Sequence, residues 1–135
     1  MPAQDGSLRV LVVDDEKSVA DSLALIFSIH GYAVRAAYTA EQAIESSLAW
    51  KPGLAIVDVV LPKMSGIELA IVFKEMMPDC HVVLFSGQII TEELVREAHD
   101  KGHAFDIIAK PVRPAVFLET AKRLAEIART PDRDA

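Results

Sequence analysis

Cysteine is almost missing from this chain. Cys80 stands alone among 135 residues, so no internal disulfide framework can hold the fold, and the sequence suits a reducing compartment. An excess of positive charge is missing too. With 14 Lys and Arg against 20 Asp and Glu, the formal charge is −6. That excludes a stand-alone nucleic-acid binder, whose affinity rests on a basic face, and favours divalent cations or basic partner surfaces as counterparts. No apolar run reaches membrane-spanning length, and Met1 to Ser7 lack a signal-peptide pattern. There is no internal repeat, low-complexity stretch or interdomain linker. The expectation is a cytoplasmic single domain that contacts neither nucleic acid nor membrane directly. At 51% apolar and 25% charged residues, the chain is long and apolar enough for a real core.

What is present alternates regularly. Residues 1–6 read as a polar tail, 7–129 as the folded domain and 130–135 as a second tail. Leu8–Val13 is a β-rich run stopping at Asp14-Asp15-Glu16, after which Val19, Leu23, Ile26, Phe27 and His30 follow helical spacing up to Gly31. Ala33–Ala37 is a second short strand. Thr39-Ala-Glu-Gln42 has capping-box form and opens a helix with Ala43, Ile44 and Leu48 expected inward. Leu54–Val57 is an apolar run with the look of a strand buried on both faces, and it ends in Asp58. Ser65-Gly-Ile-Glu68 is another capping box, starting a helix with Leu69, Val72, Phe73 and Met76 expected inward. His81–Phe85 is the fourth strand, ending at Ser86-Gly87. A helix capped at Thr91 follows, with a thin apolar face of Leu94, Val95 and Ala98. Phe105–Ala109 is the fifth strand, and Pro114 suits the first turn of a last helix packing Val116, Phe117, Ala121, Leu124 and Ile127 or Ala128. Five strands alternating with five helices imply an α/β fold, a doubly wound parallel sheet covered on both faces.

A parallel sheet ends all its strands at one edge, which is where open α/β sheets place their sites. Asp14 and Asp15 follow the first strand, Asp58 ends the third, Ser86 ends the fourth and Lys110 follows the fifth. Any one of these is unremarkable, since acids near helix starts, strand-end hydroxyls and solvated lysines are common. Together they form a site. Clustered carboxylates repel one another, and a hard divalent cation with oxygen ligands relieves that. Lysine adds a point charge for an anion, Ser86 a hydroxyl, and Gly87 room for an incoming group. The set matches phosphoryl transfer, in which equatorial oxygens must be neutralised, with one carboxylate as nucleophile.

Over about residues 7–126 the chain resembles the receiver domain of two-component response regulators. Val12-Val-Asp-Asp-Glu16, Asp58-Val-Val-Leu-Pro-Lys-Met-Ser-Gly66, Leu84-Phe-Ser-Gly87 and Lys110-Pro111 carry the resemblance. It implies a flavodoxin-like, CheY-like sheet of order 2-1-3-4-5. It implies that Asp58 accepts phosphate from a sensor histidine kinase or a histidine phosphotransfer protein. Mg²⁺ (or Mn²⁺) would be held by Asp15, Asp58 and the Val60 carbonyl, with Asp14 acting through water. Ser86 and Lys110 would contact the phosphoryl oxygens, and Lys110-Pro111 would be a cis peptide aiming the lysine.

Two positions depart from the family pattern. Ile107 stands where an aromatic switch coupled to Ser86 is usual, so output is expected to run through the loosely packed helix after Thr91; Ile107→Tyr should leave phosphorylation intact. Val60 and Gln88 occupy the positions that tune phosphoryl lifetime. An apolar Val60 cannot orient an attacking water, and slow hydrolysis is expected.

The expected function is a phosphorylation-controlled module without a fused output domain, not a turnover enzyme. It would act through an unknown downstream protein or through self-association on the last strand–helix face. An aspartyl-phosphate hydrolase would use Asp-x-Asp, and Val60 fills that second place. A nucleotide-binding domain needs a glycine-rich loop where Asp14-Asp15-Glu16 stands. A pseudo-receiver serving only as a docking surface would lack an acid or the lysine, and none is missing. His99 and His103 are separated by Gly102, so a metal pair is not expected; His30 and His81 read as element ends, and Cys80 as a packed thiol.

Overall fold

The structure, a computed structural model, describes residues 8–86, Arg96, 106–109 and 113–129, with only the backbone of Ser86, Asp106, Ile107, Ala109, Ala128 and Arg129. Five strands, β1 (Arg9–Val13), β2 (Ala33–Ala37), β3 (Leu54–Asp58), β4 (His81–Ser86) and β5 (Asp106–Ala109), form one sheet in the order β2-β1-β3-β4-β5. All four pairings are parallel. Four helices are described: α1 (Lys17–Ile29), α2 (Ala40–Ala49), α3 (Gly66–Met76) and α4 (Pro114–Arg129). The helix expected from Thr91 lies outside the described residues except at Arg96.

β3 is buried at all five positions, because it lies mid-sheet with a helical layer on each face. Alternation divides the core in two. Leu11, Val13, Ala55 and Val57 face α2 and α3, where Phe73 and Leu69 pack. Val10, Val12, Leu54 and Ile56 face α1 and α4, where Phe27 and Phe117 pack. Fully burying one such side chain contributes about 1.5–3 kcal/mol, and Phe85 meets Phe117 edge-on at 5.6 Å between ring centroids.

The helix ends follow their local chemistry. Gly31 takes φ +92°, its N–H bonds the Ser28 carbonyl, and the Tyr32 N–H reaches back to that of Phe27. This is a Schellman closure, completed by the edge-on contact of Phe27 and Tyr32. Ser65 and Glu68 form the full reciprocal capping box. At α2 the box is altered: Thr39 accepts the Gln42 N–H, but Gln42 Oε1 accepts from Tyr38, one residue earlier.

Several expected inward positions turn outward. His30 is the exposed C-cap of α1, its Nδ1 2.9 Å from the Ile26 carbonyl, and the buried stripe is Ala20, Leu23 and Phe27. Leu48 is exposed, because α2 lays its small residues Ala40, Ala43 and Ser47 on the sheet and the Ser47 hydroxyl bonds the Ala43 carbonyl. Met76, Val116 and Ile127 are also exposed, while Met77, Thr120 and Ala121 are buried in their neighbourhood. Helical spacing allowed either set.

Candidate functional site

The rim at the C-terminal ends of β1 and β3 is built by the backbone first. The chain leaves β1 with the Asp14 N–H bonded to the Ala37 carbonyl at 3.1 Å, which turns the Asp14 side chain under the rim. Asp14 is wholly buried, Asp15 is exposed, and Asp58 at the end of β3 is 5% exposed. Asp14 Oδ1 accepts the Glu16 N–H at 2.9 Å. That bond satisfies an amide at the start of α1, where Glu16 makes no side-chain cap. Asp58 Oδ1 accepts the Val60 N–H at 3.0 Å, which fixes the carboxylate against its own loop.

One carboxylate oxygen from each of Asp14, Asp15 and Asp58 lies within 4.8 Å of the others. Three anionic oxygen donors, two of them buried, with no sulfur or imidazole in the group, suit a hard cation such as Mg²⁺ rather than a soft metal. The donor set therefore fits the expected ion.

The loop after Asp58 is held at both ends. The Val59 N–H bonds the Phe85 carbonyl at 2.9 Å, and the Gly66 N–H bonds the Val59 carbonyl at 2.8 Å. A Cβ at Gly66 would stand 2.0 Å from the Asp58 carbonyl oxygen. No side chain fits there. At the loop's tip Lys63 has φ +69° while the Met64 N–H bonds the Pro62 carbonyl at 2.7 Å, a γ-turn in the left-handed region that β-carbons disfavour. Between this tip and the start of α2 lies an open cleft of about 280 Å³ lined by Thr39, Ala40, Glu41, Pro62, Lys63 and Met64.

Of the residues expected at the site, Asp14, Asp15 and Asp58 are brought together, and Val60 follows with its side chain about half exposed. The backbone of Ser86 pairs with Ala109, the residue before Lys110, and that of Ile107 pairs with Leu84. Lys110, Pro111, Gly87, Gln88, His99 and His103 lie outside the described residues. Cys80 is buried away from the rim, and burial pushes its thiol up to about 12, which is the behaviour of a packed thiol.

Two roles are visible only in the structure. Gly66 stands in the motif that carries the resemblance and in a capping box, but its close approach to Asp58 depends on the loop path. Tyr38 donates its hydroxyl to Asp21 Oδ1 at 2.5 Å, and the Lys17 ammonium sits 5.3 Å from its ring. The hydrogen bond to Asp21, with burial and the Asp21 charge behind it, raises the phenol above its ordinary range. The segment that bonds Asp14 through Ala37 is thereby tied to α1.

The profile of the response regulator receiver domain family matches residues 10–122. The transcriptional activator protein ExaE of Pseudomonas putida is 36% identical over 120 residues, which cover 87% of this chain and 55% of that protein. Response regulator MprA of Mycobacterium bovis is 30% identical over 129 residues, 96% of this chain and 54% of its own length. The chain thus spans about half the length of these curated relatives. Among solved structures, a CheY-like response regulator receiver domain protein of Methanospirillum hungatei superposes with a TM-score of 0.80 at 28% identity, covering 91% of this chain and 97% of its own. The fold is flavodoxin-like, and no helix among the described residues is long and apolar enough to cross a membrane. A family match over most of the chain, joined to buried acids at the strand ends, makes this protein a member of the response regulator receiver domain family.

Proposed function

We propose that the protein is a phosphorylation-controlled signalling module whose Asp58 takes a phosphoryl group from a sensor histidine kinase or a histidine phosphotransfer protein. The observation that carries this reading is the cluster of Asp14, Asp15 and Asp58 at the sheet's C-terminal rim, with Asp58 held by the Val60 N–H. In the step, an Asp58 carboxylate oxygen forms a bond to phosphorus as the phosphorus–nitrogen bond of the donor's phosphohistidine breaks. The departing imidazole takes up a proton, and Asp58 is left as an acyl phosphate.

Asp15, Asp58 and the Val60 carbonyl would hold Mg²⁺, with Asp14 acting through water. When bound, the ion neutralises charge on the carboxylates and the transferring group. The roles proposed for Lys110 and Ser86 are to engage the phosphoryl oxygens. Val60 offers no hydrogen-bonding side chain to an attacking water, which favours a stored phosphate over turnover.

The outer side of α1, which begins just after the acids, exposes Leu25 (60%) and Ile29 (71%) one turn apart. Such an apolar pair, towards the end of α1 remote from the acids, supports docking of a protein partner along that helix. Exposed Val116 and Ile127 on α4 support self-association through the β5–α4 face or binding of a downstream protein.

The test is incubation with Mg²⁺ and acetyl phosphate, followed by intact-mass measurement of wild type and Asp58→Asn. A Mg²⁺-dependent phosphoryl adduct on the wild type alone is expected. No adduct on the wild type would point to a phosphorylation-independent docking module, and sustained hydrolysis of unrelated phosphate esters would point to a hydrolase.

A further inference from the structure

On the sheet face that packs against α2, two arginines gather around the chain's single tryptophan. Trp50 is the C-cap of α2. The Arg35 guanidinium lies 4.7 Å and the Arg9 guanidinium 5.9 Å from its ring centroid. Both arginines are exposed, as is Lys51 next to the tryptophan. Arg35 also reaches the Ser46 hydroxyl, at 3.4 Å. Among the described residues no carboxylate pairs with either guanidinium or with Lys51. This is unexpected in a chain that carries six more acids than bases. The indole orients the two forks but leaves their charge uncompensated.

The neighbouring backbone has its own opening. β2 is the outermost strand, and among the described residues it pairs only with β1. Arg35 is its central residue, flanked by Ala33, Val34, Ala36 and Ala37, which are small or compact. An edge strand is a template for another extended chain unless charge discourages it. An arginine at mid-edge disfavours basic strands and favours acidic ones.

We propose that the outer edge of β2, with Arg9, Arg35 and Trp50 beside it, is a docking surface for an extended acidic segment of a partner protein. The segment adds to the sheet along β2, and its carboxylates, on alternate residues that share one face, meet the two guanidiniums. A nucleic acid fits less well: the chain is acidic overall, and an open strand edge offers backbone pairing that only a polypeptide matches. This surface is independent of Asp58 chemistry and adds a second contact to the proposed signalling module.

Trp50 is the only indole and sits inside the surface, so its emission reports binding directly. The full chain is titrated with a short peptide alternating Glu and Thr, with a Lys–Thr peptide, inorganic phosphate and a single-stranded oligonucleotide in parallel. The expected result is a saturable change with the acidic peptide alone, weakened by added salt and by at least about tenfold in Arg9→Gln/Arg35→Gln. Hydrogen exchange should slow at β2 amides when the peptide is bound. Arg35→Lys, which keeps the charge and loses the fork, should bind at an intermediate level, and its melting temperature checks the fold independently. The proposal is overturned by no saturable change, by equal binding to the double variant, by unaltered β2 exchange, or by phosphate or oligonucleotide binding as tightly as the peptide. Acetyl phosphate labelling of Asp58 should be the same in the double variant, so a failure here is distinguishable from a failure of the phosphoacceptor reading.

Discussion

Replacing Asp58 with Asn should make the metal-free protein more stable, although it removes the proposed phosphoacceptor. Asp14 and Asp58 are both buried, and their oxygens lie within 4.8 Å of each other. At that separation two unit charges repel by about 3 kcal/mol at an effective dielectric near 20. Asparagine removes the charge yet keeps an Oδ1 for the Val60 N–H, so packing and the loop bond survive. Relaxation and solvent at the open rim reduce the gain to about 1–3 kcal/mol, a rise of roughly 3–10 °C in Tm for a domain of this size. The measurement is thermal unfolding in chelator and then in Mg²⁺. In chelator, Asp58→Asn should melt higher than wild type. In Mg²⁺ the wild type should gain about 2.7 kcal/mol at a ligand concentration roughly 100 times its Kd, narrowing or reversing the gap. A variant that melts lower than wild type in chelator would refute the claim that the three acids are in electrostatic conflict.

Other expectations follow from the same geometry. Gly66→Ala would force its Cβ onto the Asp58 carbonyl oxygen and should cost about 2–4 kcal/mol in denaturant unfolding, with Mg²⁺ affinity falling alongside. Lys63→Gly should raise stability by up to about 1 kcal/mol in the same assay, since it relieves a left-handed φ that a side chain disfavours. Cys80 should resist alkylation at neutral pH in the folded protein and react readily in denaturant. Its thiol rises from 9.0 to about 12 on burial, so the folded state holds that proton more tightly. Its contribution to stability is full below pH 9 and should be lost as the pH climbs towards 12, as read by alkaline unfolding of wild type against Cys80→Ala.

Much of the architecture could be read from punctuation. Apolar runs stopped by Asp14 and Asp58, capping boxes at Thr39 and Ser65 and the helix-ending Gly31 each announce themselves locally, and the observed strands begin and end within a residue of the expected positions. Side-chain placement was harder, because it is set by what lies opposite. Leu48 and Ser47 are equally consistent with a helical stripe. Only the closeness of α2 to the sheet decides for the serine, whose hydroxyl is satisfied within its own helix. At the site, the acids were legible as a group but not as individuals. Adjacent in sequence, Asp14 is buried and Asp15 exposed, because the Asp14 amide is drawn to Ala37, a bond that exists only once β2 has docked. The roles of Gly66 and Tyr38 were hidden for the same reason: each touches something distant along the chain.

The double anchoring of the segment after Asp58 bears on how this protein can change over generations. Val59 is pinned to Phe85, and Gly66 is pinned to Val59 where the Asp58 carbonyl leaves no room for a β-carbon. Substitutions at the outward Pro62 and Lys63 alter only the tip. Insertion or deletion of one residue would shift Gly66 off its contact and put a β-carbon where there is no space. The segment can drift in composition, but its length is locked.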